Sequence, residues 1–209
     1  PMQKKVAVIV SDALRYEVAQ ELIGELARSK HVATLKAMLA MLPTETKYDK
    51  PALLPHRELI LYGNEDNQVM SVDGYILDTT EKRSAHLQKH KDGAICVPFE
   101  TVAEYNQQKN REIFKHPLVY IFHDTIDKAG HDGTAKQAAQ ACREAINELA
   151  TMIPKILASY NVTEVYVTSD HGFLFNDIDF AEKDKHKIEE GTIERSTRYY
   201  LTRSDADVM

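Results

Sequence analysis

The sequence predicts an α/β protein, a three-layer α/β/α sandwich built around a mostly parallel sheet. Three apolar runs rich in β-branched or aromatic residues, at 5–10, 118–122 and 165–167, are typical of strands buried on both faces. Apolar residues at helical spacing follow the first run and fill much of the interval between the second and the third. Because strands and helices alternate, a parallel sheet covered on both sides is favoured.

Two helices are predicted in detail. The apolar face of the first, after the strand at 5–10, is formed by Val18, Leu22, Ile23, Leu26 and Ala27. The second begins at about Gly133, and its apolar face carries Ala138, Cys142, Ala145, Ile146, Leu149, Ile153, Ile156, Leu157 and Tyr160. Pro154 lies inside this second pattern and is expected to kink or split the helix, because proline lacks the N–H that a helix interior needs.

We expect one domain over 1–209, in which 47–114 forms an irregular rim or lid insertion. Turn signals at 63–67 and 73–74 interrupt this segment, and the runs at 68–72 and 94–98 within it are predicted to be short edge strands. A last strand is predicted at 197–202. An apolar content of 43% and a charged content of 28% are ordinary for a globular protein and exclude a disordered chain.

The composition predicts a cytoplasmic protein without a membrane segment. No apolar run reaches the roughly 18 residues that a transmembrane helix needs, and Cys96 and Cys142 lie in apolar surroundings typical of reduced, buried thiols. The net charge of −6 gives no general attraction to nucleic acid. Basic clusters at 82–83, 89–91 and 109–111 leave nucleic-acid binding open, although a solvated charged face also explains them.

Acidic and histidine side chains follow all three predicted strands. Asp12 follows the first strand, Asp127 and His131 come shortly after the second, and Asp170 and His171 follow the third. Because ligands of open parallel sheets bind beyond the carboxyl ends of the strands, these five side chains are expected to converge on one edge.

Each of these residues also has a purely structural interpretation, as a helix cap, a turn residue or a surface histidine. An Asp-x-x-x-His spacing together with an adjacent Asp-His pair is more than caps and turns require. Three carboxylates and two imidazoles suit Zn²⁺ or Mn²⁺ better than Mg²⁺ or Ca²⁺. Five ligands exceed the needs of one tetrahedral zinc, which favours two ions that clamp a displacement at phosphorus.

A hydroxyl nucleophile for such a displacement is available after the apolar segment 38–42. Thr44 and Thr46 both lie there, and a metal-bound hydroxyl loses its proton more readily than a free one. Capping threonines in a turn are equally consistent with this segment. The sequence has no glycine-rich dinucleotide or P-loop signature and no Gly-x-Ser-x-Gly elbow, which disfavours those chemistries.

The sequence resembles the alkaline phosphatase superfamily and, more closely, its PglZ branch, the phosphatase-like component of bacteriophage-exclusion (BREX) defence systems. The similar stretches are 8–17, 42–46, 52–56, 119–127 and 168–174. The motif Asp-Ala-Leu-Arg-Tyr-Glu at 12–17 combined with Asp-His-Gly at 170–172 is more specific than either motif alone.

The resemblance implies two metal sites at these positions. The first ion would be held by Asp12, Asp170 and His171, and the second site would begin with Asp127 and His131. A divalent metal is therefore the implied cofactor, two zinc ions in the first place and manganese as the other option. A later histidine usually completes the second site, and here His186, in a charged loop, is the histidine that follows the Asp-His-Gly motif.

The resemblance also implies roles in catalysis. Thr46, rather than Thr44, occupies the position of the nucleophile, and Arg15 would either hold phosphate or brace the site. Lys47, directly after the predicted nucleophile, departs from the family pattern, and its cation could contact phosphate or compete with a metal ion.

These observations lead to a metal-dependent phosphohydrolase, a phosphatase or phosphodiesterase, in which Thr46 attacks phosphorus and water then hydrolyses the phosphothreonine. The resemblance implies a phosphate-ester substrate and action in anti-phage defence, with other subunits of a defence complex as partners and this domain as one part of a larger protein. The alternatives are a catalytically silent scaffold domain of the complex and a metal-dependent nuclease.

Overall fold

The computed structural model describes residues 4–64, 67–130, 135–172, 192–196 and 199–202. The helices and strands in these ranges are, in chain order, β1 Val6–Ser11, α1 Tyr16–Arg28, α2 Thr46–Ala52, β2 Leu59–Asn64, β3 Asn67–Val72, β4 Tyr75–Ile76, α3 Thr80–His90, β5 Ile95–Pro98, α4 Phe99–Glu104, α5 Gln107–Ile113, β6 Leu118–His123, α6 Thr125–Gly130, α7 Ala135–Ser159, β7 Glu164–Thr168, β8 Thr192–Arg195 and β9 Tyr200–Thr202.

The central sheet contains four parallel strands in the order β5-β6-β1-β7. The three strands predicted from apolar runs are β1, β6 and β7, and all three are confirmed. Ser11 of β1 pairs with His123 of β6, and Val10 pairs with Thr168 of β7, so the three strands end level with one another. The residues that follow them therefore start from the same edge.

Alternating residues of the central sheet face two separate cores, which produces the three layers. Ala7 and Ile9 of β1 belong to the core on one face, beneath α1 and α7, whereas Val10 belongs to the core on the other. That second core also contains residues of α2, α3 and the small sheet β2-β3-β4. The predicted α/β fold with a mostly parallel sheet is confirmed.

The segment 47–114 contains regular elements from α2 through α5. The predicted strand at 94–98 is β5, at the edge of the central sheet. The predicted edge strand at 68–72 corresponds to β3, but β3 is the middle strand of an antiparallel sheet between β2 and β4. The edge assignment was wrong because residues on both sides of the run turn back and pair with it.

The long predicted helix is α7, and it runs through Pro154 without being split. Ile153 and Ile156, on either side of the proline, are both buried in the core. Packing of this apolar face against the sheet offsets the loss of one backbone hydrogen bond. Near the end of the chain, β9 covers part of the predicted strand at 197–202, and residues 197–198 lie outside the described ranges.

Among the described residues, no helix combines the length and the apolar character that a bilayer span requires. Both cysteines are free thiols, with Cys96 buried and Cys142 partly buried. Burial raises the pKa of the Cys96 thiol to about 11, which keeps it protonated and unreactive near neutral pH.

Candidate active site

A cavity of about 560 Å³ lies beyond the carboxyl ends of the central strands. Its lining includes Asp12 after β1, Thr46 and Lys50 of α2, Arg83 of α3 and Asp127 of α6. Ligands of open α/β sheets bind at this edge. The structure therefore brings together, in one cavity, residues that are far apart in the chain.

Asp12 is a residue of this site and does not cap α1. The cap position of α1 is Arg15, whereas Asp12 is 2% exposed and its carboxylate accepts a hydrogen bond from Lys50 Nζ. The backbone turns sharply after Asp12, because Ala13 has a positive φ of 61°. This turn directs the Ala13 N–H toward Asp170 Oδ1, at 3.3 Å.

Asp170 and His171 are both buried beside Asp12. Asp170 Oδ1 accepts a second hydrogen bond from the His171 N–H at 2.9 Å. His171 Nδ1 lies 3.1 Å from the carbonyl oxygen of Gly172, and since a carbonyl only accepts, Nδ1 carries the proton. The lone pair of His171 is therefore on Nε2, which faces the cavity.

Thr46 contacts this nitrogen directly. It is the first residue of α2, and Thr46 Oγ1 lies 2.9 Å from His171 Nε2, so that the hydroxyl donates to the ring nitrogen. The cap position of α2 belongs to Glu45, whose side chain makes no capping hydrogen bond. The interpretation of Thr46 as a capping threonine is therefore wrong.

Asp127 lies close to the same nitrogen of His171. Its Oδ1 is 3.9 Å from His171 Nε2, similar to the 3.8 Å between that nitrogen and Asp170 Oδ2. The structure thus gathers four of the five predicted metal ligands, since Asp127 and Asp170 lie near His171 and Asp12 interacts with Asp170. The fifth, His131, lies outside the described residues, as does His186.

The donor atoms of this group fit a divalent cation. Asp12 Oδ1 and Asp170 Oδ2 are buried and have no hydrogen-bond partner among the described residues. Burial and the charge of Asp170 raise the pKa of Asp12 to about 8, although Lys50 acts in the opposite direction. Two buried carboxylates side by side need a proton or a cation between them to offset their repulsion. A ligand set of carboxylate oxygens and an imidazole nitrogen suits Zn²⁺ or Mn²⁺.

Two lysines of α2, Lys47 and Lys50, line the cavity. Lys50 is 11% exposed and bonds Asp12, while the ammonium of Lys47 lies 2.5 Å from Glu194 and over the ring of Tyr48. The prediction that Lys47 contacts phosphate or competes with a metal ion stays a prediction, since Lys47 lines the cavity while its ammonium pairs with Glu194.

Arg15 lies next to the site without lining the cavity. Its guanidinium pairs with Glu17 at 3.1 Å, and a Cβ added to Gly172 would come within 3.4 Å of Arg15 Cγ. This packing against the Asp-His-Gly segment matches the bracing role. The phosphate-binding role stays a prediction.

Asp49 and Arg83 are site residues that the sequence analysis missed. Asp49 is 2% exposed, one turn after Thr46, and burial together with the charge of Asp170 raises its pKa to about 7. Arg83 places its guanidinium 4.9 Å from the ring centre of Phe122, and burial lowers its pKa. The spacing of Thr46, Asp49 and Lys50 on one face of a helix was the available signal for the first of these.

Glu194 of β8 holds the helix that carries Thr46. Its carboxylate accepts hydrogen bonds from Tyr48 OH at 2.8 Å, Tyr199 OH at 2.7 Å and the Gln68 N–H at 2.9 Å, besides the ion pair with Lys47. Burial alone would raise the pKa of Glu194, but these donors lower it to about 2. A buried carboxylate with four donors joins β8, β9, β3 and α2 in one network.

This fold and this group of residues define an α/β phosphatase-like domain. Comparison with known families identifies the family to which this domain belongs. The family model described as "BREX system PglZ alkaline phosphatase-like domain" matches residues 1–208. The chain belongs to the PglZ family, as its resemblance predicts.

Two curated relatives are similar over nearly the whole chain. The alkaline phosphatase-like protein BrxZ of Escherichia coli O9:H4 (strain HS) is 34% identical over 207 residues, which are 96% of this chain and 24% of that protein. The alkaline phosphatase-like protein PglZ of Bacillus cereus (strain H3081.97) is 29% identical over 208 residues, which are 98% of this chain and 24% of that protein. The chain thus spans about a quarter of the length of these relatives. No solved structure gives a significant match.

Proposed function

We propose that this chain is the phosphohydrolase domain of an anti-phage defence protein, a metal-dependent phosphatase or phosphodiesterase with Thr46 as its nucleophile. The observation that carries the proposal is the contact of Thr46 Oγ1 with His171 Nε2 at 2.9 Å, beside Asp170 and at a cavity that Asp12 and Asp127 line. Family membership supports the defence setting and, with it, partner subunits that place the substrate.

The residues that would hold metal are those around His171. Asp12, Asp170 and His171 would bind one divalent ion, with Zn²⁺ or Mn²⁺ as the expected metals, and Asp127 with His131 would begin a second site. Bound metal supplies Lewis-acid polarisation of the phosphoryl oxygens and favours the deprotonated form of the Thr46 hydroxyl.

The protein's own groups account for the remaining steps. Thr46 Oγ1 loses its proton to solvent and forms a bond to phosphorus as the bond from phosphorus to the leaving oxygen breaks, and the leaving oxygen takes up a proton from solvent. Water then attacks the phosphothreonine, and the bond between phosphorus and Oγ1 breaks to return the hydroxyl. Arg83 and Lys128, which line the cavity, bring positive charge to the phosphoryl group in both steps.

Thr46→Ala tests the proposed nucleophile. We expect hydrolysis of p-nitrophenyl phosphate or bis-p-nitrophenyl phosphate, measured with added Zn²⁺ or Mn²⁺, to fall by about 10³-fold or more, because no other hydroxyl touches His171 Nε2 among the described residues.

The matched control is Thr44→Ala, which removes a hydroxyl two residues away and is expected to leave turnover within about twofold of wild type. The ratio of the wild-type rates on p-nitrophenyl phosphate and bis-p-nitrophenyl phosphate shows whether the enzyme prefers a phosphate monoester or a diester. Equal turnover in wild type and Thr46→Ala would refute the nucleophile.

A second candidate function, a catalytically silent scaffold, is favoured by the Lys50–Asp12 ion pair. The ammonium group supplies a positive charge beside the carboxylate that a metal ion would otherwise neutralise. If the domain is a scaffold, the chain binds no metal at the sheet edge, and Asp12→Ala and Asp170→Ala leave assembly of the defence complex and resistance to phage intact. Loss of resistance without loss of assembly would reject the scaffold role.

A further inference from the structure

A second group of metal-type ligands lies on the small sheet, away from the proposed active site. It consists of Asp73 in the turn between β3 and β4, and of His86 and His90 one turn apart on α3. The ligand atoms of these three side chains all lie within 4.8 Å of one another. None of the three lines the active-site cavity.

His86 presents a lone pair with no partner inside the protein. The residue is 2% exposed, and its Nε2 lies 2.7 Å from the carbonyl oxygen of Pro55. Because a carbonyl only accepts, the proton is on Nε2 and the lone pair is on Nδ1. Nδ1 is buried and has no hydrogen-bond partner among the described residues, a state that buried polar atoms rarely adopt. The nitrogen of His86 that is left for a ligand is therefore Nδ1.

Asp73 is anchored in a way that leaves one oxygen for a ligand. Its Oδ1 accepts hydrogen bonds from the Arg57 and Glu58 N–H groups, both at 2.9 Å. The other oxygen, Oδ2, lies 3.9 Å from His90 Nε2. Metal-binding histidines and carboxylates are typically oriented by such outer hydrogen bonds to backbone groups. Asp73 and His86 both show this arrangement.

His90 closes the cluster on the solvent side. Its ring centre is 4.9 Å from that of His86, and its side chain is 32% exposed. One carboxylate and two imidazoles are a common three-ligand set for zinc, with the fourth position open to water. Zinc bonds of about 2.0–2.1 Å would draw the three ligand atoms to about 3.3 Å from one another, a closure of roughly 1 Å.

We propose that Asp73, His86 and His90 form a zinc site that joins α3 to the β3–β4 turn. The three ligands come from the two elements that cover this face of the central sheet, so the ion would fix α3 relative to the small sheet. Arg83 lies one turn before His86 on the same helix and lines the active-site cavity. The ion would therefore also help to hold in place the helix that carries a cavity arginine.

The test counts zinc equivalents bound by this chain in equilibrium dialysis. We expect His90→Ala and Asp73→Asn each to lose one equivalent, or to bind it at least about tenfold more weakly than wild type. Asp73→Asn keeps an oxygen for the Arg57 and Glu58 N–H groups, and His90 is partly exposed, so both variants should fold. His31→Ala, a histidine next to α1, is the control and should bind as wild type does.

The same comparison in an Asp170→Asn background separates this site from the proposed active site. There, zinc should still raise the midpoint of thermal unfolding when Asp73, His86 and His90 are intact, and should not raise it in His90→Ala. Equal zinc stoichiometry and affinity in wild type, His90→Ala and Asp73→Asn would overturn the proposal, as would a chain that binds no zinc in the Asp170→Asn background. Neither result bears on hydrolysis by Thr46.

Discussion

At the scale of single residues, the Lys50–Asp12 ion pair decides how the site balances its charge. Asp12 is flanked by Lys50 on one side and is close enough to Asp170 for that carboxylate to raise its pKa. A lysine ammonium and a divalent metal ion are alternative ways to offset two adjacent carboxylates. A divalent ion bound here would therefore compete with Lys50 for the negative charge of Asp12 and Asp170.

Replacing Lys50 by methionine should strengthen metal binding. The change keeps the length of the side chain and removes the ammonium group, so a divalent ion no longer meets a positive charge next to Asp12. We expect the affinity for Mn²⁺ or Zn²⁺ at the sheet edge to rise by about tenfold or more, measured by titration calorimetry.

Lys47→Met is the matched control, because it removes a lysine from the same helix that pairs with Glu194 instead. Unchanged or weaker binding of metal by Lys50→Met would mean that Lys50 does not occupy the place of a cation.

At the scale of elements, α2 depends on a strand that comes much later in the chain. Thr46 opens this seven-residue helix, and Glu194 of β8 binds it through Tyr48 and Lys47. Isolated helices of this length are not stable in water, so contacts of this kind hold Thr46 in place.

Glu194→Gln should weaken both the fold and the site. An amide cannot accept hydrogen bonds from four donors, so we expect the free energy of unfolding to fall by about 2–3 kcal/mol near neutral pH. Since the pKa of Glu194 falls from 4.5 to about 2 on folding, its stabilisation is fully present above pH 4.5 and is lost as the pH drops toward 2.

Urea unfolding of wild type and Glu194→Gln over this range should therefore give curves that converge at low pH. Glu164→Gln removes an exposed carboxylate that pairs with Lys4, and it is expected to change stability little. A constant difference between wild type and Glu194→Gln down to pH 2 would contradict the assignment of the shifted pKa to this network.

The elements that were predicted best from the sequence are those with a strong local pattern of apolar residues. β1, β6 and β7 come from nearly continuous apolar runs, and α7 has a long apolar face. The expectation of burial on both faces was wrong for β7, an edge strand in which Tyr166 is 56% exposed. Asp12, Asp170 and His171 could be placed because they follow such strands directly, and the parallel arrangement brings strand ends together.

The residues that sequence analysis missed depend on contacts between distant elements. Asp49 and Lys50 point into the site only because α2 packs on β3, and the segment before α2 has no periodic pattern. Glu194 lies in a short strand whose four partners come from three separate places in the chain. The ion pair of Lys47 could not be predicted for the same reason, since its partner is 147 residues away.

At the scale of the whole molecule, the two cores on either side of the sheet are joined through the strands themselves. Leu149 of α7 is fully buried in one core, and Leu87 of α3 is fully buried in the other. We propose that the segment 47–114 is part of a single domain, because β5 at its end pairs with β6 of the central sheet.

Leu149→Ala and Leu87→Ala test this proposal as a pair. Each should lower the free energy of unfolding by about 2–5 kcal/mol, since each leaves a cavity in a packed core. If the domain is single, both variants show one transition, with the same midpoint by circular dichroism and by tyrosine fluorescence. A second, earlier transition in Leu87→Ala alone would identify 47–114 as a separate folding unit.

The position of β1 has a consequence for the order of events during synthesis. This strand is made first, yet both of its partners are made much later, since Val6 pairs with Leu118 and with Glu164. At the usual rate of translation, β1 waits on the order of 10 s for its second neighbour. Until then its apolar residues are exposed, and Asp12 and Asp170 cannot meet. A ribosome stalled between β6 and β7 would therefore carry a nascent chain with an unfinished sheet, prone to associate with chaperones and without the group of acidic residues at its edge.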